Sequence, residues 1–323
     1  MSISNRIVIV DAYNLFTRHY VAHPGMSKNG DQVGGVVGFF NNLLRIIERV
    51  NPERVYVIWE GGGSIRKRNL YSEYKKGKKP VKMNRYYDDL PDSLENRNFQ
   101  IKTLVSLISN FPVTQIYVEG SEADDAIGYM AKYKLRNQNI VVISSDHDFY
   151  QLISDRVIIW SPTLKSFVNE KKVIERFGIH PNNFCLAKSI SGDASDNIPG
   201  IKGISFKTLS KYFPKFSKPD DYLIGDFLSD VEELKKTKKL KILETLSCIF
   251  EQNTISRNWK LVHLDVNNLS HDQIQKIDNK IENYEFSMNN IGAHKLLNEN
   301  GILNIDLFKA KILFKNLKAK GNK

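Results

Sequence analysis

The apolar positions of this chain follow two rhythms. Residues 6–10 and 54–59 are short runs rich in β-branched and aromatic side chains, and residues 113–118 and 140–144 repeat the pattern. Short runs of this composition predict strands buried on both faces. Between them the spacing lengthens. Phe39, Phe40, Leu43, Leu44, Ile46 and Ile47 lie on one side of a helix predicted from Val36 to Val50. Strands that alternate with helical segments predict an α/β fold whose central sheet is mostly parallel and flanked by helices. After Pro199 the pattern becomes helical and lysine-rich, with a basic run from Lys235 to Lys241 and six lysines without an acid from Lys309 to Lys323. At 323 residues the chain suits two domains, or one domain with a helical lobe.

The acids gain meaning from these strands. Asp11 follows the first strand, Glu60 the second and Asp146 the fourth, while Ser121 can cap a helix that carries Glu122, Asp124 and Asp125 after the third. The carboxyl ends of parallel strands are where such sheets bind ligands. Glu122 and Asp125 share a helical face by their spacing. Asp146 and Asp148 alternate on a segment expected to be extended and point the same way. With Asp193 and Asp196, nine carboxylates can converge on one cleft. Two like charges at about 4 Å repel by roughly 4 kcal/mol at an effective dielectric of about 20, so the cleft needs cations. An all-oxygen donor set without Cys or paired His favours Mg²⁺ or Mn²⁺ over Zn²⁺. For any single Asp, helix capping is the simpler role, and it loses force only when all the clusters are taken together. His147, between two of the acids, reads as a spacer.

Charge changes the picture again. The formal net charge is +11 in spite of these clusters, which points to a polyanionic partner. No apolar run approaches the roughly 20 residues of a membrane span, and the amino terminus lacks the pattern of a signal peptide. A cytoplasmic protein is expected. Cys185 and Cys248 offer neither a disulfide framework nor a zinc spacing. From Gly61 to Arg85, nine Lys or Arg face one acid, Glu73, with Tyr71 and Tyr74 interleaved. This reads as a long insertion above the sheet. A solvated charged loop is the competing reading, but bases stack on Tyr while Lys and Arg track phosphates. Arg66 and Lys75 are the candidates to reach a scissile phosphate and offset its developing charge.

Residues 198–208, Ile-Pro-Gly-Ile-Lys-Gly-Ile-Ser-Phe-Lys-Thr, place two glycines in a tight turn before a helix start. Such a turn presents backbone N–H groups to a phosphate, aided by Lys202 and Lys207; an ordinary helical hairpin is an equal reading. Gly61-Gly-Gly-Ser64 lacks the ending of a nucleotide-binding P-loop and reads as a hinge, and no GxGxxG opens a helix.

Four segments, 10–15 (Val-Asp-Ala-Tyr-Asn-Leu), 122–125 (Glu-Ala-Asp-Asp), 145–152 (Ser-Asp-His-Asp-Phe-Tyr-Gln-Leu) and 192–203 (Gly-Asp-Ala-Ser-Asp-Asn-Ile-Pro-Gly-Ile-Lys-Gly), resemble in content and order the signatures of the 5′ nucleases. That family includes flap endonucleases, the 5′ exonuclease domain of bacterial DNA polymerase I, and phage ribonuclease H. The likeness extends from about residue 6 to 213, and the stand-alone phage type is the nearest. It implies a resolvase-like or PIN-like catalytic domain over 1–180 with a helical arch near 61–100. It further implies a helical domain over 181–323 with a helix-hairpin-helix near 185–213.

The resemblance implies two Mg²⁺ ions, replaceable by Mn²⁺. One would lie near Asp11, Glu60, Glu122 and Asp124 with Asp125 close by, the other near Asp146, Asp148, Asp193 and Asp196. Arg66, Tyr74, Lys75 and Lys78 fall on phosphate-facing arch positions. Gly200, Lys202, Gly203, Ser205, Lys207 and Thr208 fall on the duplex-gripping hairpin, which often holds K⁺. Glu60 stands where the family usually has Asp, Lys78 where Arg is common, and Ser205 where Gly is common. The implied activity is 5′-3′ hydrolysis of 5′ flaps, nicked or gapped DNA and RNA–DNA hybrids by a monomer, serving primer removal during replication, in the host cytoplasm if phage-encoded. A single-strand binding protein or sliding clamp would be a partner. A non-catalytic DNA-binding factor and a PIN-like ribonuclease remain open alternatives.

Overall fold

Alternation within each strand decides what covers each face of the sheet. The computed structural model describes residues 6–77 and 94–317. Its strands are β1 (Arg6–Asp11), β2 (Arg54–Trp59), β3 (Thr114–Tyr117), β4 (Asn139–Ile143), β5 (Val157–Ser161) and β6 (Ser166–Val168). They form one sheet in the order β3-β2-β1-β4-β5-β6, parallel except for the β5–β6 pair. The mostly parallel sheet expected from the four runs is therefore present, extended by β5 and β6.

The helices are α1 (Ala12–Ala22), α2 (Gly34–Val50), α3 (Ile65–Leu70), α4 (Leu94–Ile108), α5 (Ala123–Tyr129), α6 (Glu170–Phe177), α7 (Phe184–Ser191) and α8 (Phe206–Tyr212). They continue as α9 (Ile224–Thr237), α10 (Lys241–Leu246), α11 (Ile249–Val262), α12 (His271–Glu282), α13 (Asn290–Glu299) and α14 (Leu307–Lys315). On one face of the sheet Ile7, Ile9, Tyr56, Ile58, Ile140 and Val142 join a core with residues of α5 and α7 to α12. On the other, Val8, Val10, Val55, Val57, Val141 and Ile143 pack with α1, α2, α4, α13 and α14. The residues after 181 thus divide between both faces. No helix among the described residues is long and apolar enough to cross a membrane.

Two glycine contacts hold the strand ends where the acids lie. A Cβ on Gly61 would come within 1.7 Å of the Val118 carbonyl oxygen, so the chain after β2 passes close against the chain after β3. Gly192 (φ +78) and Gly200 lie back to back, and a Cβ on Gly192 would meet the Gly200 nitrogen at 2.2 Å. Substitution at either would push the hairpin that carries Asp193 and Asp196 out of place. Both cysteines are free, Cys185 buried and Cys248 exposed.

Candidate active site

Parallel strands end on one edge, and that edge carries the acids. Asp11 closes β1 and caps α1, accepting the Asn14 N–H at 3.2 Å and the Ser144 hydroxyl at 2.9 Å. Ser144 Oγ in turn accepts the Asp146 N–H, and Asn14 Oδ1 accepts the Ser145 N–H, so the ends of β1 and β4 are tied together. Asp146 is the N-cap of a short 3₁₀ turn over His147–Leu152 and accepts the Asp148 N–H at 2.9 Å. The segment is helical rather than extended, yet the two carboxylates still converge. Ser121 is not the cap of α5. Its hydroxyl donates to the Val118 carbonyl, and Glu122 occupies the cap position without bonding to the helix through its side chain.

Among the described residues, two carboxylate groups come within metal-ligating range. Oxygens of Asp124, Asp146 and Asp148 lie within 4.8 Å of one another, as do those of Asp148, Asp193 and Asp196, so Asp148 belongs to both. Asp11 faces this cluster. Burial, with Asp146 and Glu60 adding repulsion and the Asn14 and Ser144 hydrogen bonds opposing, pushes its carboxyl up to about 7. Burial likewise raises Asp124 and Glu60. Glu60 accepts the Ala123 N–H at 3.3 Å. Crowded, desolvated acids that resist ionising are the condition a divalent cation relieves.

Lysines reach several of these acids. Glu122, 1% exposed, accepts from Lys67 and Lys75, each at 2.7 Å, and from the Tyr74 hydroxyl at 2.9 Å. Burial would raise its pKa, but the two ammonium groups hold it down to about 2. Asp125 is fully buried and belongs to neither carboxylate group. Its Oδ1 takes Lys67 at 3.1 Å and the Asn268 amide at 2.8 Å, and its Oδ2 has no hydrogen-bond partner among the described residues. Burial opposes the charge of Lys67, but Asp125 and Glu122 outweigh it and keep the ammonium protonated. Lys188 donates to both Asp148 and Asp193. Against the effect of burial, it holds Asp193 down to about 2.

The basic segment is drawn down onto this site. The Lys75 N–H donates to the Asp196 carbonyl and its Nζ lies 3.7 Å from the Asp196 carboxylate, while Asn197 donates to the Glu73 carbonyl. Tyr74 is 4% exposed and turned toward Glu122. Arg66 is exposed and donates to Asn268 at 2.6 Å. Lys78 lies outside the described residues. Gly200 sits against Ser191 and Gly192, whereas Lys202, Gly203, Ser205 and Lys207 are exposed and Thr208 is half-buried. Ser205 caps α8 by accepting the Thr208 N–H. Ile201 and Ile204 anchor this turn in the core, and Asn258 of α11 donates to the carbonyls of Ser189 and Pro199 beneath it.

Ser144, Lys67, Lys188, Asn258 and Asn268 were not singled out from the sequence. Lys188 alone left a trace, as a lone charge in the apolar segment Phe-Cys-Leu-Ala-Lys-Ser-Ile.

The model of the 5′-3′ exonuclease N-terminal resolvase-like domain matches residues 6–178. The chain belongs to the 5′-3′ exonuclease family. A DNA polymerase I of Caldicellulosiruptor bescii is 30% identical over 245 residues, covering 73% of this chain and 27% of that protein. A thermostable DNA polymerase I of Thermus thermophilus is 27% identical over 263 residues, covering 81% of this chain and 29% of that protein. The chain therefore spans under a third of the length of these polymerases. A 5′-3′ exonuclease of Aquifex aeolicus, 26% identical, is matched over 72% of its length by 67% of this chain. In fold, the chain is similar to T5 5′-exonuclease with bound zinc, with a TM-score of 0.68 at 20% identity over 87% of this chain and all of that one.

Proposed function

We propose that this protein is a divalent-metal-dependent, structure-specific nuclease. It would cut 5′ flaps, nicked or gapped DNA and RNA–DNA hybrids in the 5′-3′ direction, and remove RNA primers during replication. The observation that carries this reading is the pair of overlapping carboxylate groups joined at Asp148. Their donors are all carboxylate oxygens, a set suited to Mg²⁺ with Mn²⁺ as a substitute. Asp124, Asp146 and Asp148 would hold one ion and Asp148, Asp193 and Asp196 the other, with Asp11, Glu60 and Glu122 setting the field around them. When bound, such a pair supplies an activated water and neutralises charge on the scissile phosphate, so no side-chain nucleophile is needed.

The chain's own residues handle the rest. Lys75, 27% exposed above Glu122 and Asp196, is placed to offset charge that builds on the phosphate. Tyr74 acts through Glu122 as a positioning residue. The exposed Lys202, Lys207, Ser205 and Gly203 face duplex backbone, which favours recognition by structure rather than sequence. The likeness in fold to a T5 flap endonuclease solved as a pseudo-enzyme-product complex with DNA and metal ions supports DNA as the substrate.

The test is a labelled 5′-flap duplex incubated with Mg²⁺ across a range of salt. Release of a flap-length product, abolished by EDTA and by Asp148→Asn with duplex binding retained, is expected. Binding without cleavage would identify a DNA-binding factor instead, and cleavage of single-stranded RNA in preference to the flap would favour a ribonuclease.

A further inference from the structure

A cavity of about 740 Å³ opens beside the acids, at the β2–β3 end of the sheet. Its walls are Trp59 and Tyr117 on the strands, Tyr13 in the first turn of α1, and Arg97, Ile101 and Val105 on α4. The last three recur every fourth residue and so share one helical face. Trp59 is fixed in place. Its ring stacks on Phe39 at 6.3 Å, and its Nε1 donates to Gln115, whose own amide donates to the Val105 carbonyl and to Ser109. Tyr117, by contrast, ends an edge strand with 58% of its surface exposed. An exposed tyrosine beside a rigid tryptophan and an aliphatic helix face makes a slot with stacking surfaces and few free polar groups, within the usual size of a ligand pocket, about 300–1,000 Å³.

Resting on the nuclease reading, we propose that this slot receives one unstacked nucleobase of the strand that leaves the duplex. The occupant follows from continuity. Glu60 lines both the slot and the acidic cleft, and Tyr13 is two residues from Asp11. A strand whose phosphate lies among the carboxylates therefore has its neighbouring nucleotide at the mouth of the slot. The direction follows from the sheet order. Asp193 and Asp196, on the duplex-facing hairpin, adjoin Asp148 beyond β4, whereas the slot lies beyond β2 on the opposite side of β1. The nucleotide is thus on the 5′ side of the cut, within one or two of the scissile phosphate. No carboxylate among the described residues is paired with Arg97, which lines the slot and supplies positive charge for a backbone phosphate. Stacking is indifferent to base identity, so the slot would register that a base is unpaired without reading which one it is.

The experiment scans single abasic nucleotides along the 5′ strand of a flap duplex. It also scans 2-aminopurine along the same strand in Ca²⁺, where binding is read without turnover. In the wild type, one position next to the cut should lose roughly tenfold in cleavage when abasic, and 2-aminopurine there should be quenched. Tyr117→Ala should cut the intact flap at the abasic level with no further loss from the abasic nucleotide. Tyr117→Phe should behave as wild type, and Ile101→Trp, which fills the slot from α4, should repeat the defect. A flat abasic scan, or an equal abasic penalty in Tyr117→Ala, overturns the slot while leaving the nuclease intact. Failure of the wild type to cut overturns the nuclease reading, and position-independent 2-aminopurine emission then overturns the slot separately.

Discussion

Lys188 Nζ lies 2.7 Å from Asp193 Oδ2, with the lysine side chain only 8% exposed. The same ammonium also reaches Asp148, the acid common to both carboxylate groups, so a protein cation already sits among the oxygens proposed to hold metal. Lys188→Met leaves Asp148 and Asp193 uncompensated. Breaking a buried pair on one side costs about 3–5 kcal/mol. Thermal unfolding in EDTA should show this loss, and millimolar Mg²⁺ should restore more stability to the variant than it adds to the wild type. An equal Mg²⁺ effect in both proteins would place Lys188 outside the metal field.

Lys67 is a contrasting case. Its partners Glu122 and Asp125 belong to neither carboxylate group, so divalent ions have no direct route to replace it. Lys67→Met should cost a similar amount, about 3–5 kcal/mol, in urea unfolding, and Mg²⁺ should not rescue it.

Ion counting separates the acids. Because Asp148 is shared, Asp148→Asn should lower both binding events when Mn²⁺ is titrated and followed by paramagnetic resonance. Asp193→Asn should weaken one. Asp125 belongs to neither carboxylate group and its Oδ1 holds Lys67 and Asn268, so Asp125→Asn should keep the wild-type number of ions and lose stability instead.

Stability without metal should decline from near-neutral to mildly basic pH. The folded Asp11 carboxyl is raised to about 7 from 3.8, so between these values the folded state holds more protons than the unfolded one. Stability then falls as pH rises, by up to about 1.4 kcal/mol per pH unit. Asp124 and Glu60 act in the same direction. Glu122 and Asp193, both held at about 2, act oppositely and withdraw their support as pH falls below the ordinary carboxylate range toward 2. Burial pushes His19 and His263 down to about 4, which gives the opposite slope below the ordinary histidine range, so calorimetry in EDTA should show the fall in melting temperature from about pH 6.5 to pH 8, with Asp11→Asn flattening it. A rising slope in the wild type would contradict this reading of the cleft.

The hairpin makes an ionic-strength prediction. If Lys202 and Lys207 each meet a duplex phosphate, replacing either with Ala should reduce the slope of log Kd against log salt by about 0.9, measured by anisotropy on a flap duplex in Ca²⁺.

The strands and the acids were legible because both leave local marks: β-branched runs, and charges where those runs stop. The buried lysines left almost none. Lys67 lies in a basic run whose members look alike until the fold selects one to bury. Lys188 finds Asp148 forty positions away, and Asn268 finds Asp125 at a separation of 143. Val157 to Trp160 of β5 is an unbroken apolar run that could have been found in the same way as the others, whereas β6, three residues at the sheet edge, is too short to leave an apolar run of its own. The rigid hold on Trp59 was equally hidden, since it depends on Gln115 two strands' worth of chain later.

The return of α13 and α14 to the sheet sets the order in which the molecule can be completed. Phe314 stacks on Phe111 at 4.7 Å and meets Phe40 at 6.3 Å, in the same core as Val8 and Val10. That core joins residues some three hundred positions apart. Long-range contacts of this kind form late. During synthesis α1, α2 and α4 cover the face behind the active-site strands only in part until α13 and α14 have left the ribosome, so the nascent chain carries its acidic cleft before that face is closed.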